Sequence, residues 1–373
     1  MSVDFESANR ITSLKQGIEA TTGESYADLT EGVQALKDGY GQGGKPEQEK
    51  TVEITENGTT DVLPDTGYAL SKVTVNTNVA GSGDADNLEG YFDSSVKNIM
   101  LPNITAIHPN KFHSDSQINS VVAPRVVTVQ DSAFRGASWV TEVTFSDELN
   151  SIGKSCFSGC QRLRSFVPND LGGVKSIPTE CFNGCSELTL SELADDVTSI
   201  GQNAFSGCEK LAWTKLPSGL VGEIQASFNG CEMLKITEIP TGVTKLNNSA
   251  LRGTAIEEIA IPSGCALVGY RPLGDNVSLK KVAFLGITST DITTSAFEGS
   301  TAIKSVTIGE GWAVSIYLNY SNNLTVESLH GMIENLADLT GLTAKNFKVG
   351  ETNLAKIDED HIAMLNAKNW NYS

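Results

Sequence analysis

The stretch Val197-Thr-Ser-Ile-Gly-Gln-Asn-Ala-Phe-Ser-Gly-Cys-Glu-Lys-Leu-Ala-Trp-Thr-Lys-Leu-Pro217 contains one full unit of a repeat that organises most of the chain. Its phenylalanine, Phe205, recurs from Phe112 to Phe297, where eight steps span 185 residues, so the period is about 23 residues. A fixed period of this length predicts a solenoid, because each repeat is too small to bury its apolar face except against the next. The aligned positions are Phe112, Phe134, Phe157, Phe182, Phe205, Phe228, Leu251, Leu273 and Phe297.

Other positions of the unit repeat together with the aromatic one. An aliphatic residue stands five positions before it, a glycine two after it and an aliphatic residue six after it, as Ile200, Gly207 and Leu211 do around Phe205. A stretch with the pattern L-x-x-V-x-L follows, as in Leu279–Phe284. Because apolar residues alternate there, we predict a short β-strand in each coil. The expected fold is a mostly β solenoid of about nine to ten 23-residue coils.

The whole unit can be written S-x-A-F-x-G-C-x-x-L-x-x-V-x-L-P. It resembles the BspA-type leucine-rich repeats of bacterial and phage surface proteins, and it differs from ordinary leucine-rich repeats in its proline after the strand and its lack of their asparagine. The resemblance covers roughly residues 89–308. It implies a leucine-rich repeat stack that displays a recognition face.

Composition limits the possible partners. The chain has 373 residues with 27 basic and 45 acidic side chains, a formal net charge of −18. A phosphate backbone or an anionic membrane requires clustered lysine and arginine, which the sequence lacks, so no nucleic-acid partner is expected. We find no signal-peptide pattern and no apolar run long enough to span a bilayer. Neither Sec export nor membrane insertion is therefore predicted for the chain as given.

The seven cysteines allow more than one interpretation. Cys156/Cys160 and Cys181/Cys185 form two C-x-x-x-C pairs, a spacing that could suggest zinc. Cys160 and Cys185, however, fall three residues after the repeat aromatic, where another coil has Ala137. Because this position calls for a small buried side chain, we favour a ladder of structural thiols over a metal site. Disulfides between adjacent coils remain possible, since the spacing of neighbouring strands suits a bridge.

Two segments precede the repeats. Residues 1–44 predict a helical hairpin followed by a glycine-rich linker, with Ile11, Leu14 and Ile18 on one helical face. Residues 45–88 predict a small β-module and a flexible joint, and their Asn57-Gly58 pair between alternating runs is a strong hairpin signal.

The sequence of the β-module resembles that of modules in known proteins. It reads E-K-T-V-x-I-T-E-N-G-T-T and then G-Y-x-L-S-K-V-T-V-N-T within residues 45–79. This is similar to short modules in tail-associated proteins of phages and prophages of Gram-positive bacteria, and such modules also occur in host surface proteins. The resemblance implies that residues 1–88 serve attachment to other virion proteins or self-association.

The chain ends in a predicted cap. We assign residues 89–318 to the solenoid and residues 319–373 to an α/β cap. The cap consists of a helix over Thr325–Leu336, a strand over Asn346–Val349 and a last helix that begins at Asp358. Its expected role is to cover the open end of the solenoid.

Signals of catalysis are weak. His108, His113 and Asp115 lie close together in sequence, but they fall in the turn of the first full coil, which favours a structural interpretation over a metal site. His330 and His361 stand isolated on predicted helices. Since the common hydrolase, metalloprotease and nucleotide-binding motifs are absent from the sequence, we predict no enzyme activity, metal or cofactor.

The candidate binding face follows from the outward positions of the predicted strands. If Leu211, Thr214 and Leu216 point into their coil, the residues between them, Trp213 and Lys215, face outward. Stacking would place the equivalent residues of adjacent coils about 5 Å apart and form an exposed apolar ridge flanked by charges, which is typical of a binding site. The alternative is that these coils deviate locally and Trp213 fills the core. The remaining candidate residues are Leu190, Glu192, Ile236 and Glu238.

Two functions fit these predictions. The first is a non-catalytic host-recognition component of a phage or prophage tail, located in the virion and binding a protein or cell-surface glycan receptor. The second is a bacterial cell-surface adhesin built on the same repeats. The phage-like wording of residues 45–79 and the missing export signal favour the first.

Overall fold

The computed structural model describes strands Glu47–Ile54 and Ala69–Thr77 and residues 97–112, 117–288 and 290–373. Within these residues the chain forms a solenoid of about 12 turns. The predicted repeat fold is thereby confirmed, with somewhat more turns than expected.

Some predictions fall outside these residues. They are the helical hairpin of residues 1–44, the Asn57-Gly58 turn, and two of the three polar residues in the turn of the first full coil, His113 and Asp115.

The strands in chain order are β1 (Glu47–Ile54), β2 (Ala69–Thr77), β3 (Asn98–Met100), β4 (Ala106–Ile107), β5 (Ser120–Val122), β6 (Thr128–Val129), β7 (Glu142–Thr144), β8 (Ser151–Ile152), β9 (Ser165–Val167), β10 (Ser176–Ile177), β11 (Ser199–Ile200), β12 (Gly222–Gln225), β13 (Val243–Asn247), β14 (Glu258–Ile261), β15 (Ala266–Val268), β16 (Lys281–Phe284), β17 (Ser305–Thr307), β18 (Ile316–Tyr317), β19 (Lys345–Lys348) and β20 (Trp370–Tyr372). The helices are α1 (Val326–Asn335), α2 (Glu351–Leu354) and α3 (Glu359–Ala367).

The L-x-x-V-x-L stretches form parallel sheets on one side of the solenoid. One sheet has the order β1-β2-β3-β5-β7-β9 and another the order β14-β16-β17. In the first, the central residues Ile99, Val121, Val143 and Phe166 pair in register and are buried. The predicted strands are therefore confirmed at both ends of the stack, whereas the stretches 188–193, 211–216 and 234–239 between the two sheets form no strand.

A second set of short strands lies elsewhere on the coils. These strands contain the aliphatic residue that stands five positions before the aromatic, and Ile107, Val129 and Ile152 pair in register there. They form the sheets β4-β6-β8, β10-β11 and β12-β13-β15. These strands were not predicted from the sequence, because most of them have only two or three residues and carry too little alternation to be detected.

The aromatic column forms the centre of the core. Phe182 stacks on Phe205 with 5.4 Å between ring centroids, and Phe205 stacks on Phe228 at 5.8 Å. All three rings are fully buried. The column continues to Phe112 through Phe134 and Phe157 with similar spacings. The fixed period of the sequence thus places one ring above another along the stack.

The repeat glycine is explained by its backbone conformation. Gly207 has φ 73°, in the left-handed region where a Cβ is strained. Asn203, two residues before the aromatic, is also left-handed with φ 56°. Each coil therefore turns sharply on both sides of its buried aromatic residue.

The cysteine ladder has a hydrogen-bonding role as well as a packing role. All seven cysteines are buried free thiols. Asn276 and Ser300 occupy the same position in later coils and donate to the carbonyl oxygens of Leu251 (2.9 Å) and Leu273 (2.8 Å). In these coils the position therefore holds a buried donor directed at the preceding coil, whereas Ala137 fills the same position without a donor. The cysteines that donate in this way, at 3.0 to 3.1 Å, are Cys160 to Phe134 O, Cys185 to Phe157 O, Cys208 to Phe182 O and Cys231 to Phe205 O.

Burial keeps the thiols of Cys208 and Cys231 protonated. It raises the pKa of Cys208 well above its ordinary value, and it raises the pKa of Cys231 from 9.0 to about 12. A thiol with a raised pKa stabilises the fold at pH values below 9.0, and this contribution is lost as the pH rises from there toward about 12.

We therefore expect alkaline destabilisation that depends on the cysteines. Between about pH 8 and about pH 10.5, the wild type should lose about 2 kcal/mol more of its unfolding free energy than Cys231→Ser, which keeps a donor but does not titrate. Urea unfolding at the two pH values measures both losses. Equal losses in the two proteins would contradict the raised pKa.

The C-terminal cap follows the predicted elements closely. Thr325 caps α1 and Asp358 caps α3, each accepting a hydrogen bond through its side chain from the first helical turn. The strands β18, β19 and β20 form a parallel sheet beside the helices, of which only β19 was predicted. Trp312 and Trp370 are buried in this region. The cap thus continues the apolar core of the solenoid at the end of the stack.

The N-terminal strands join the solenoid. Strand β2 pairs in parallel with β3, with Val73 opposite Ile99, and β1 pairs in parallel with β2. We predicted a flexible joint over residues 80–86, which would uncouple the β-module from the repeats. This uncoupling does not hold for β2, because β2 pairs with the open edge of the first coil. The domain boundaries at 44 and 88 stay predictions.

Candidate functional site

The predicted exposed ridge is in the core. Leu190, Trp213 and Ile236 are only 4%, 1% and 0% exposed. The prediction that they face outward is wrong. In these three coils the first, third and sixth residues of the stretch point inward, instead of the first, fourth and sixth residues of L-x-x-V-x-L. In the coil of Trp213, the buried residues are accordingly Leu211, Trp213 and Leu216. The alternative, that these coils deviate locally and Trp213 fills the core, is therefore correct.

The indole of Trp213 completes the aromatic core. Its ring lies edge-on to Phe205 at 5.1 Å and to Phe228 at 6.0 Å. Its Nε1 donates to the carbonyl oxygen of Leu190 at 3.0 Å, so the one polar atom of the ring is satisfied. In the coil of Phe157, the ring of Phe166 fills the equivalent space and lies edge-on to Phe157. Trp213 therefore replaces a strand residue as a core ring.

The charged candidates lie closer to the surface. Glu192 Oε1 accepts hydrogen bonds from Thr214 N (2.8 Å), Thr214 Oγ1 (2.6 Å) and Lys215 N (3.2 Å). The hydrogen bonds from Thr214, first from its hydroxyl, lower the pKa of Glu192. Glu192 thus links two coils where strand pairing is missing. Lys215 and Glu238 are exposed, and a binding role for these three charged residues stays a prediction.

An outward-facing surface instead lies on the first sheet. We call it the N-terminal sheet face, and it consists of the exposed side chains of β3, β5, β7 and β9. One of its columns is mostly apolar and partly exposed, with Val122 beside Thr144. Parallel strands lie about 4.8 Å apart, so this column is continuous over four coils. Its residues are Met100, Val122, Thr144 and Val167.

An exposed tryptophan lies at the corner that leads into β7. Trp139 is 44% exposed, whereas Trp213, Trp312 and Trp370 are buried. The guanidinium carbon of Arg162, in the next coil, lies 4.2 Å from the centroid of the Trp139 ring. This cation–π contact fixes the indole while leaving part of its surface open to solvent.

Further charges extend this corner. Arg164 Nε lies 3.4 Å from Glu187 Oε2. We name the four residues Trp139, Arg162, Arg164 and Glu187 the Trp139 patch. Tryptophan and arginine are among the side chains in which binding energy concentrates at interfaces.

The Trp139 patch was not predicted, although the sequence contains a signal for it. Trp139 stands five residues after the repeat aromatic, and the same position holds Arg162, Glu187 and Lys210 in the next coils. A tryptophan in a column of charged residues indicates exposure. The alternation within the predicted strands, in contrast, indicated Trp213 as the exposed tryptophan.

A groove of about 380 Å³ lies on the same side further along the stack. Its charged lining residues pair across coils, with 2.6 Å between Glu257 Oε2 and Lys280 Nζ and 3.6 Å between Glu258 Oε2 and Lys281 Nζ. The hydrogen bond from Lys280 lowers the pKa of Glu257. These charges compensate one another, so the groove offers little unpaired charge to a ligand. The Trp139 patch, in contrast, offers an open aromatic surface.

The cap contains a cluster that the sequence did not reveal. His330 on α1 and His361 on α3 stack with 3.7 Å between ring centroids, and Asp358 lies beside both. The prediction that the two histidines are isolated is therefore wrong. Burial lowers the pKa of His361, but hydrogen bonds to Asp358 and Glu334 outweigh it and raise the pKa above its ordinary value. The backbone amide of His361 lowers the pKa of Asp358.

The repeats match a known family. The family model described as BspA type leucine rich repeat region matches residues 89–189 and 175–304, more than half of the chain, in six copies. The chain belongs to the BspA-type leucine-rich repeat family. The family match confirms the resemblance seen in the repeat unit.

Solved structures similar to this BspA-type protein include three from bacteria. A leucine rich cell surface protein from Faecalibacterium prausnitzii is 18% identical, with 81% of this chain and 86% of that chain covered and a TM-score of 0.35. A leucine-rich repeat protein from Bacteroides ovatus is 18% identical, with coverage of 74% and 91% and a TM-score of 0.39. The pneumococcal vaccine antigen PcpA is 15% identical, with coverage of 88% of each chain and a TM-score of 0.34. Family membership rests on the repeat match and not on these superpositions.

No curated protein matches the chain in sequence. In the described part of the chain, no helix combines the length and the apolar character that crossing a bilayer requires.

Proposed function

We propose that this BspA-type protein is a non-catalytic recognition protein of a bacterial cell surface, an adhesin that binds a protein or glycan receptor. The observation that carries the proposal is Trp139, which is exposed at the edge of a continuous sheet face while the other three tryptophans are buried. An exposed tryptophan costs solvation free energy, and tryptophan and arginine dominate the binding energy of interfaces.

The surroundings of Trp139 support a binding role. The open part of the indole offers a flat apolar surface to a sugar ring or a side chain of a receptor. The strand that follows Trp139 carries Thr144 of the partly exposed apolar column, so further apolar surface lies on the same sheet face. Rigid stacking of the coils keeps these groups in place, so little conformational entropy is lost on binding. The F. prausnitzii protein similar to this chain is also a cell surface protein, which agrees with the proposed location.

We expect Trp139→Ala to weaken receptor binding by about 2 kcal/mol or more, roughly 30-fold, because truncation removes the aromatic contact at the centre of the patch. Binding of the full chain to immobilised glycans and extracellular matrix proteins identifies a receptor, and titration of that receptor measures the loss. The free energy of unfolding should change by less than about 1 kcal/mol, since the ring lies outside the core.

The chain supplies a matched control for this measurement. Met233 occupies the same position in its own coil and is also 44% exposed, but it lies away from the N-terminal sheet face. Met233→Ala should bind like the wild type. Equal binding by wild type and Trp139→Ala would reject the patch as the binding site.

A second candidate function is that of a phage or prophage tail component. Its support is the wording of residues 45–79, which is similar to tail-associated modules, and it would give residues 1–88 the role of an attachment or self-association segment. Peptide mass spectrometry after prophage induction tests it. Recovery of the chain in purified phage particles supports the tail function, and recovery in the cell-wall fraction supports the adhesin.

A further inference from the structure

The histidine cluster of the cap is built from two helices. His330 and Glu334 are four residues apart on α1 and therefore share one face of that helix. Asp358 and His361 are three residues apart at the start of α3. Packing of α1 against α3 brings the four side chains together. No part of the proposed recognition function uses them.

The polar atoms of the cluster converge. His361 Nδ1 lies 2.7 Å from Asp358 Oδ1, and His330 Nε2 lies 3.6 Å from Asp358 Oδ2. One potential ligand atom from each of the three residues lies within 4.8 Å of the others. His330 Nε2 is buried and has no hydrogen-bond partner. Because its nearest acceptor, Asp358 Oδ2, lies beyond hydrogen-bonding distance, this nitrogen is able to bind a further group.

We propose that His330 Nε2, the Asp358 carboxylate and His361 Nδ1 bind a divalent transition-metal ion such as Zn²⁺. Zinc binds imidazole nitrogen and carboxylate oxygen at about 2.0–2.2 Å, which places adjacent ligand atoms of a tetrahedral site about 3.3 Å apart. The observed separations of 2.7 and 3.6 Å lie on either side of that value. The two imidazole rings are stacked within 15° of parallel, so one ring must rotate before both nitrogens point at the same ion. The ion would also replace the hydrogen bond between His361 Nδ1 and Asp358.

Glu334 acts as a positioning residue in this site. Its Oε1 lies 3.5 Å from His361 Nε2, on the ring nitrogen that does not face Asp358. A histidine ligand commonly donates its second N–H to a carboxylate, which fixes the tautomer and the ring orientation. Two imidazoles and one carboxylate favour Zn²⁺ and its transition-metal neighbours over Ca²⁺ and Mg²⁺, which prefer oxygen ligands only. The metal would join α1 to α3 and so hold the cap closed over the solenoid.

Titration of the full, untagged, metal-free chain with ZnCl₂ in a calorimeter tests the proposal. We expect one ion per chain and a Zn²⁺ affinity at least 10-fold lower in His330→Gln and in Asp358→Asn. Asparagine still caps a helix, so Asp358→Asn separates ligation from capping and remains informative if His330→Gln folds poorly. Glu359→Gln, one residue further on α3, is the matched control and should bind like the wild type. Absence of saturable binding, or equal affinity in wild type and both variants, would overturn the site.

Cobalt distinguishes this site from the buried thiols. Co²⁺ bound by nitrogen and oxygen shows visible d–d bands, whereas cysteine ligation adds an intense near-ultraviolet band from sulfur to cobalt. We expect the visible bands alone in the wild type and their loss in Asp358→Asn. A sulfur band would assign the ion to the cysteines and reject the cap site.

Discussion

Replacing Trp213 by alanine is expected to lower the free energy of unfolding by about 3–5 kcal/mol, because it leaves a cavity between stacked rings. The indole is edge-on to Phe205 and Phe228, and its loss also removes the hydrogen bond to the carbonyl of Leu190. Denaturant unfolding of the variant beside the wild type measures the change. Receptor binding by the folded fraction should stay unchanged, since the residue is buried.

Trp213→Phe is the informative control. Phe166 fills the equivalent space in its own coil, with ring contacts to Phe157 and Phe182. A phenylalanine at 213 should therefore keep much of the packing and lose the Nε1 hydrogen bond to Leu190, at a cost of about 1–2 kcal/mol. If Trp213→Ala cost less than about 1 kcal/mol, the placement of the indole in the core would be wrong.

Replacing Phe205 by alanine should have an effect of similar size, about 3–5 kcal/mol. Phe205 stacks between Phe182 and Phe228 and contacts Trp213, so truncation opens a void shared by three coils. Because the void is bounded by rings that the adjacent coils hold in place, it cannot collapse easily. The loss of unfolding free energy is measured by denaturant titration, as for Trp213.

The chain itself offers the control for Phe205. Leu251 and Leu273 occupy the same position in later coils and are fully buried. Phe205→Leu should therefore cost less than about 1.5 kcal/mol. The double variant Phe205→Ala/Trp213→Ala should lose less than the sum of the single variants, because both residues line one cavity. Strict additivity, or a similar cost for leucine and alanine, would contradict a shared aromatic core.

The repeat period is sufficient to predict the fold. One aromatic residue about every 23 positions requires stacked coils, since no single coil can bury its own ring. The cap helices were also predictable, because Thr325 and Asp358 carry capping side chains ahead of amphipathic segments. The position of Cys208 and Ser300 was recognisable as small and buried, although the donor role emerged only from the distance to the preceding coil.

The direction of individual side chains needed the tertiary structure. The pattern of alternating residues holds for Phe166 but not for Trp213. A coil without strand pairing is free to turn a large ring inward, and burial of the ring is favourable in free energy. The burial of Trp213 moved the candidate binding surface from the middle coils to Trp139.

The sequence by itself determined the repeating core, the cap elements and the lack of clustered basic residues, since each depends on residues close together in the chain or on composition. Only the tertiary structure brought His330 beside Asp358 and His361, because these groups lie on separate helices whose packing no local pattern encodes. It likewise decided that Trp139 is exposed and Trp213 is buried, since burial depends on how neighbouring coils stack and not on the alternation within one of them.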